Sequence, residues 1–330
     1  MPLPHLTGAA WLAWRQHRAT YRTVAAVSAL FALWALWERR ELVSGVHAYA
    51  RSCLRLPQYC HDGSGLADPS TVHLLFDQVT PALTYLAPVA AALIGATLFA
   101  QDMENGAHRL AWTQSIGRRE WTVAKLVLAT AVTVAGAVLV TAPVTWWWYT
   151  NWRGQGEGGI DGRAWRATSA WNDWSFFSST GPAGVAHILL ALMIGAAAGL
   201  LLRRLTASIA LAAAVTGTVQ WALARLRPHL LTPHLTEAVG TAYPTAPRGS
   251  WYLGGGYIRA DGTTTGYPCS AKDAPDPGRC LGAHGIVGQY RQDLPLSRLP
   301  LLQTIETGIC VTAAVALVAL CLWRVGRNAT

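Results

Sequence analysis

A chain of 330 residues with 26 Lys+Arg against 17 Asp+Glu carries a net charge of +9, which by itself invites a nucleic-acid reading. The rest of the composition excludes it: 13% of residues are charged, where soluble domains carry about 25%, 52% are hydrophobic, and there are 16 Trp. Disorder and an ordinary soluble enzyme fall with it. A bilayer protein remains, because lipid-facing positions exclude charge and membrane interfaces collect Trp.

A crossing helix needs about 20 mostly apolar residues. In chain order, six stretches approach this: about 23–37, 79–100, 123–149, 183–202, 205–224 and 301–323. Residues 1–8 carry no basic n-region, and the first long apolar run begins only after Arg15, Arg18 and Arg22 with no small-residue cleavage site, so no secretory signal is expected there. The first stretch is short before Glu38 and relies on Arg22 snorkelling. Pro81 and Pro88 in the second are tolerable where neighbouring helices satisfy the freed backbone groups. Arg203 and Arg204, between the fourth and fifth, predict a tight turn. With the N-terminus inside, six crossings return the C-terminus inside. The inner pieces then hold eleven basic residues against Asp102, Glu104 and Glu120, and nearly the whole +9 lies on that face. The expectation is a cell-membrane protein with both termini cytoplasmic and external loops at 38–78, 150–182 and 225–300.

Cys53 and Cys60 fall in the first external loop, and Cys269 and Cys280 in the last, so two local disulfides are expected, with a bridge between the loops as the alternative. Trp146-Trp147-Trp148, with Trp152, Trp165, Trp171 and Trp174, reads as an aromatic belt at the outer interface. Residues 225–299 hold 8 of the 17 Pro and 11 of the 31 Gly, too broken for a seventh span. Within them, Asp261-Gly262 predicts a type I′ hairpin turn between strands in Trp251–Tyr267. The fold class expected is an all-α integral membrane protein of six spans with a disulfide-stapled external loop region containing one β-hairpin.

No phosphate-binding loop is present: Lys125 and Lys272 each follow Ala. There is no zinc-protease helix and no nucleophile elbow, and no metal site is expected. Ionisable groups inside spans are functional candidates by default. Glu306, near the outer start of the sixth span, and His187, near that of the fourth, are candidates for a pathway or gate. The bland reading makes Glu306 an interfacial carboxylate beside its helix's N-terminal dipole.

The longest inner connection is Gln101-Asp102-Met103-Glu104-Asn105-Gly106-Ala107-His108-Arg109-Leu110-Ala111-Trp112-Thr113-Gln114-Ser115, followed by Ile116-Gly117-Arg118-Arg119-Glu120-Trp121. Carboxylates open it, Gly106 permits a sharp bend, and the segment after it can present Arg109, Leu110 and Trp112 to a partner. This motif, with Arg119, Trp121 and Lys125, resembles the cytoplasmic connection of type-2 ABC exporter permeases in their actinobacterial branch. The likeness recurs at Trp11–Arg18, Gly181–Arg204, Arg227–Leu230 and Ile305–Ile309.

The resemblance implies a permease that binds no cofactor itself, with ATP and Mg held by two copies of a separate ABC ATPase. It also implies a second permease copy, identical or related. Residues 1–22 would form an interfacial elbow helix, 23–324 the six-helix domain and 325–330 a tail. The coupling loop, 101–121, would use Asp102, Glu104, Gly106, Arg109, Leu110, Trp112, Gln114 and Arg119. Where the family usually carries a basic residue followed by Glu, this chain has Gln101 and Asp102. The class set against this reading is an ATPase-independent immunity or structural protein, or a membrane-embedded enzyme.

Overall fold

The computed structural model describes residues 8–55, 79–106, 117–154, 171–240, 242–247, 249–269 and 277–327. They fall into two compact units, a helical one and a smaller one made of 170–172 and 224–305.

Among the described residues, six helices are long and apolar enough to cross a membrane. They are α1 (Gly8–Arg55), α2 (Thr80–Glu104), α3 (Arg118–Gly154), α5 (Gly181–Leu202), α6 (Leu205–Leu226) and α8 (Leu299–Arg327), with the short α4 (Trp174–Ser179) before α5. Leu30, Leu33, Val127, Trp221 and Val315 are each more than half exposed. Apolar side chains turned outward on helices of this length suit hydrocarbon better than water.

The first element departs from expectation. No boundary falls at residue 22; α1 runs 48 residues without interruption, about 72 Å at 1.5 Å per residue, through Glu38-Arg39-Arg40-Glu41. Glu and Arg are good helix formers, so they end the apolar run without ending the helix. Arg39 lies with its guanidinium 3.9 Å from the centre of the Trp146 ring of α3, a favourable cation–π contact.

The closest helix pairs are α2 with α5 and α1 with α3. Small residues explain the first. A Cβ on Gly195 would lie 2.0 Å from the Ala92 carbonyl oxygen, one on Gly95 2.1 Å from that of Leu192, and one on Gly199 2.6 Å from that of Ala96. Gly195-Ala-Ala-Ala-Gly199 thus lets two backbones touch, which is how helices associate where lipid removes the hydrophobic drive.

Of the expected aromatic belt, Trp147, Trp148 and Trp171 are buried in protein. Trp148 packs 4.9 Å from Phe176, and Trp171, in the smaller unit, donates its indole N–H to the Gly249 carbonyl at 2.5 Å. The area of all three is used in packing, and so is the Trp171 N–H. Trp146 alone of the triplet is substantially exposed. Trp165 lies outside the described residues.

The smaller unit is an antiparallel sheet rather than a lone hairpin. Its strands are β1 (His234–Val239), β2 (Trp251–Arg259), β3 (Thr264–Thr265) and β4 (Ile286–Leu294), in the order β1-β4-β2-β3, with α7 (Pro277–Ala283) before β4. His234 pairs with Asp293 and Trp251 with Leu294. The β2–β3 turn is not type I′, since only Gly262 has a positive φ, 80°. Gly262 donates to Arg259, and Arg259 to Thr263, a three-residue type I turn closed by a left-handed glycine. Asp261 accepts from the Thr263 N–H and hydroxyl, which hold its carboxyl below the usual carboxylate range. Cys269 and Cys280 form a disulfide. The expected Cys53–Cys60 pairing lies outside the described side chains.

Candidate functional site

The last turn of α2 places two carboxylates on opposite sides of the helix, because Asp102 and Glu104 are two residues apart at 100° each. Each reaches a different neighbour. Asp102 binds the ammonium of Lys125, two turns into α3. Lys125 is fully buried, and Nζ also donates to the Leu98 carbonyl at 3.0 Å and meets His17 Nε2 of α1 at 3.2 Å. An ammonium has three donors and no acceptor, so this set uses all three and makes His17 Nε2 an acceptor. The Trp121 ring centre lies 4.6 Å from Nζ, and Trp121 packs edge-on against Phe99 at 5.7 Å. Trp14 stacks on Tyr21 at 5.7 Å on the α1 side. A buried charge persists only when paired and fully hydrogen-bonded, and here one ammonium ties α1, α2 and α3 together.

Glu104 faces the other way. Its Oε2 accepts the backbone N–H of Leu205, the first residue of α6, at 2.8 Å. That N–H is one of the donors a helix start leaves unpaired, at the positive end of its dipole. The expected tight turn is present: α5 ends on Arg203, in the left-handed region at φ 57°, whose N–H bonds the Gly199 carbonyl. Ser208 bonds the Arg204 carbonyl through both N–H and hydroxyl.

The α2–α3 connection therefore leaves from a fixed point. Asn105 bonds back to Gln101, and Gly106 follows with φ 71° and open space around it, the bend only glycine takes freely. Arg119 is exposed on the first turn of α3. Arg109, Leu110, Trp112 and Gln114 lie outside the described residues. An ion pair stands at the loop entry, with Asp102 as acid and Lys125 as base. In the sequence Lys125 reads only as a basic flank to an apolar run, and nothing local signals that it is buried.

A second polar centre joins α5 and α8. His187 Nε2 lies 2.8 Å from Glu306 Oε1, and both side chains are completely buried. Glu306 is thus enclosed by protein, and the two residues singled out separately in the sequence meet across 119 positions. The start of α5 is fixed around them. Gly181 donates its N–H to the Thr145 hydroxyl at 2.8 Å, Thr180 bonds the Phe176 carbonyl, and Thr84 reaches the Ser175 carbonyl at 2.6 Å. Trp174 lies 6.3 Å from the His187 ring.

A family model described as ABC-2 membrane transporter related matches residues 25–227, from the apolar part of α1 to just past α6. No curated protein and no solved structure matches the chain.

Proposed function

The chain belongs to the ABC-2 membrane transporter related family, and from that premise we propose that it is the permease subunit of an ATP-driven exporter. Membership and six apolar helices make it a multi-pass membrane protein of the transport type. In the proposed assembly a separate ABC ATPase binds ATP and Mg, two such subunits dock on two permease copies, identical or related, and this chain performs no hydrolysis itself.

The observation that carries the reading is the double anchoring of the α2 terminus. Asp102 is tied to α3 and α1, and Glu104 to the start of α6. A push on the connection that begins at Gly106 is thus delivered to four helices at once. The loop 101–121 is the coupling element on this reading, with Arg109, Leu110, Trp112, Gln114 and Arg119 offered to the ATPase.

Orientation follows from the same cluster. Contacts gather the start of α1, the end of α2, the start of α3 and the Arg203-Arg204 turn at one end of the bundle. That end is rich in Arg and Lys, which favours the cytoplasm. Both termini are cytoplasmic on this reading. Gly8–Arg22 carries the first span on toward the headgroups, where Trp11 with the Arg15 guanidinium 5.2 Å from its ring centre is at home. The substrate is a drug, antibiotic, peptide or lipid-like molecule.

The test is purification of the chain from its own membranes with its ATPase activity followed. A co-purifying protein with a phosphate-binding loop, whose ATP hydrolysis falls on Glu104→Ala or Arg109→Ala, supports the proposal. A chain that is stable and active without any ATPase would instead be an immunity or structural protein.

A further inference from the structure

Three buried polar atoms without a protein hydrogen bond surround one cavity. His187 Nδ1 of α5, and Thr216 Oγ1 and Gln220 Oε1 of α6, have no partner among the described residues. The residues are 1%, 2% and 7% exposed. Thr216 and Gln220 are one turn apart on the same face of α6, and all three residues line a cavity of about 10 Å³ whose remaining wall is apolar, including Ile194, Val219 and Leu223. Burying a polar atom without a partner forfeits its hydration for no return. Three such atoms face this one cavity.

The donor and acceptor roles select the occupant. His187 Nε2 lies 2.8 Å from Glu306 Oε1; in the tautomer that donates from Nε2 to this carboxylate, Nδ1 presents a lone pair. Gln220 Oε1 also accepts, while the Thr216 hydroxyl can donate. The occupant must give two hydrogen bonds and take one. Water does this, needs about 10–15 Å³, and is held by two to four polar partners. A metal cation fits poorly, since hard cations want oxygen ligands and charge, and this set offers one nitrogen and no free carboxylate.

We propose that this cavity is a built site for one water molecule, which bridges α5 to α6 and, through His187 and Glu306, links both to α8. Neither α6 nor α8 makes the close backbone approach seen between α2 and α5. A polar hub with an exchangeable member gives these two helices a join that can loosen without unfolding. The inference does not depend on the exporter reading.

The test uses Thr216→Val, Gln220→Met and the double variant of the full chain in lipid nanodiscs, with thermal midpoints measured. A shared water predicts that each single variant melts several degrees lower. It also predicts that the double variant loses less than the sum, because the first change already strips the water of a bond. A dry cavity predicts that each change raises the midpoint, since an apolar atom replaces an orphaned polar one. A rise, no change or strictly additive losses overturn the proposal. Hydroxyl-radical footprinting by X-ray radiolysis of the unaltered chain gives a measurement independent of folding yield. Labelling of His187 at the rate of exposed residues supports the water, and protection matching its burial overturns it.

Discussion

Replacing Lys125 by Met keeps the length and apolar stem of the side chain and deletes the ammonium. What is lost is the contact to Asp102, the bond to the Leu98 carbonyl, the bond to His17 and the approach to Trp121. Removing one member of a buried pair costs about 3–5 kcal/mol. The Asp102 side chain keeps 13% exposure and can recruit some water, so a cost of about 2–3 kcal/mol is expected here. That is a large share of the roughly 5–15 kcal/mol that holds a typical protein folded, and it corresponds to a fall in melting temperature of about 5 °C or more. Replacing both partners, Lys125→Met with Asp102→Leu, leaves no uncompensated charge. It recovers at least about 1 kcal/mol relative to the sum of the single variants. The assay is thermal unfolding of the purified chain followed by tryptophan fluorescence, with the double-mutant cycle completed. A Lys125→Met variant that melts like the parent, or strictly additive effects, would refute the idea that this ammonium fastens three helices.

Gly195→Leu places a side chain where even a Cβ lies 2.0 Å from the Ala92 carbonyl oxygen, so α2 and α5 must separate and the folded yield should collapse. Gly217→Ala, with nothing within 4 Å of its Cβ, should be neutral or stabilise by up to about 1 kcal/mol. Fluorescence-detected size exclusion distinguishes the two. Glu104→Ala removes a helix-end acceptor at an exposed position and should cost about 0.5–1 kcal/mol of stability, while reducing ATPase stimulation in the assembled complex by much more. A proportionate loss of both would make Glu104 merely structural. Cys269→Ser opens a link of sequence separation 11 and should cost the sheet unit about 2–3 kcal/mol, read as increased proteolysis between residues 225 and 300. Mass spectrometry of alkylated, unreduced protein should find Cys269 and Cys280 joined and Cys310 and Cys321 as free thiols.

The six spans were legible because lipid leaves so little choice: a crossing helix must be apolar for about 20 residues, and each such run became a helix. Helix ends were less legible, since apolarity reports the bilayer and not the hydrogen-bond ladder. Glu38-Arg39-Arg40-Glu41 ended the first apolar run while α1 continued to Arg55. Asp261-Gly262 announced a turn locally, yet β1 and β4 pair residues 49 to 59 positions apart and carry polar side chains on both faces. Only their meeting makes them strands. Glu306 and His187 were each conspicuous as ionisable groups in apolar runs, but a pairing across the fold leaves no mark in either neighbourhood. Lys125 was hidden for a related reason. At the edge of a span, a lysine that snorkels and a lysine that is buried look alike until Asp102 and His17 are known to stand beside it.

Site-directed cross-linking tests the central claim most directly, because the proposal makes the connection that leaves α2 at Gly106 the contact with the ATPase. A cysteine at Leu110, with a second at Val239 on the exposed edge of the sheet as control, is introduced into the chain in membranes containing its ATPase. A short bifunctional reagent is then added with and without ATP. The account predicts a product joining chain and ATPase from position 110, changing in yield with nucleotide, and none from 239. Cross-linking from 239 in place of 110, or from neither while transport continues, contradicts it.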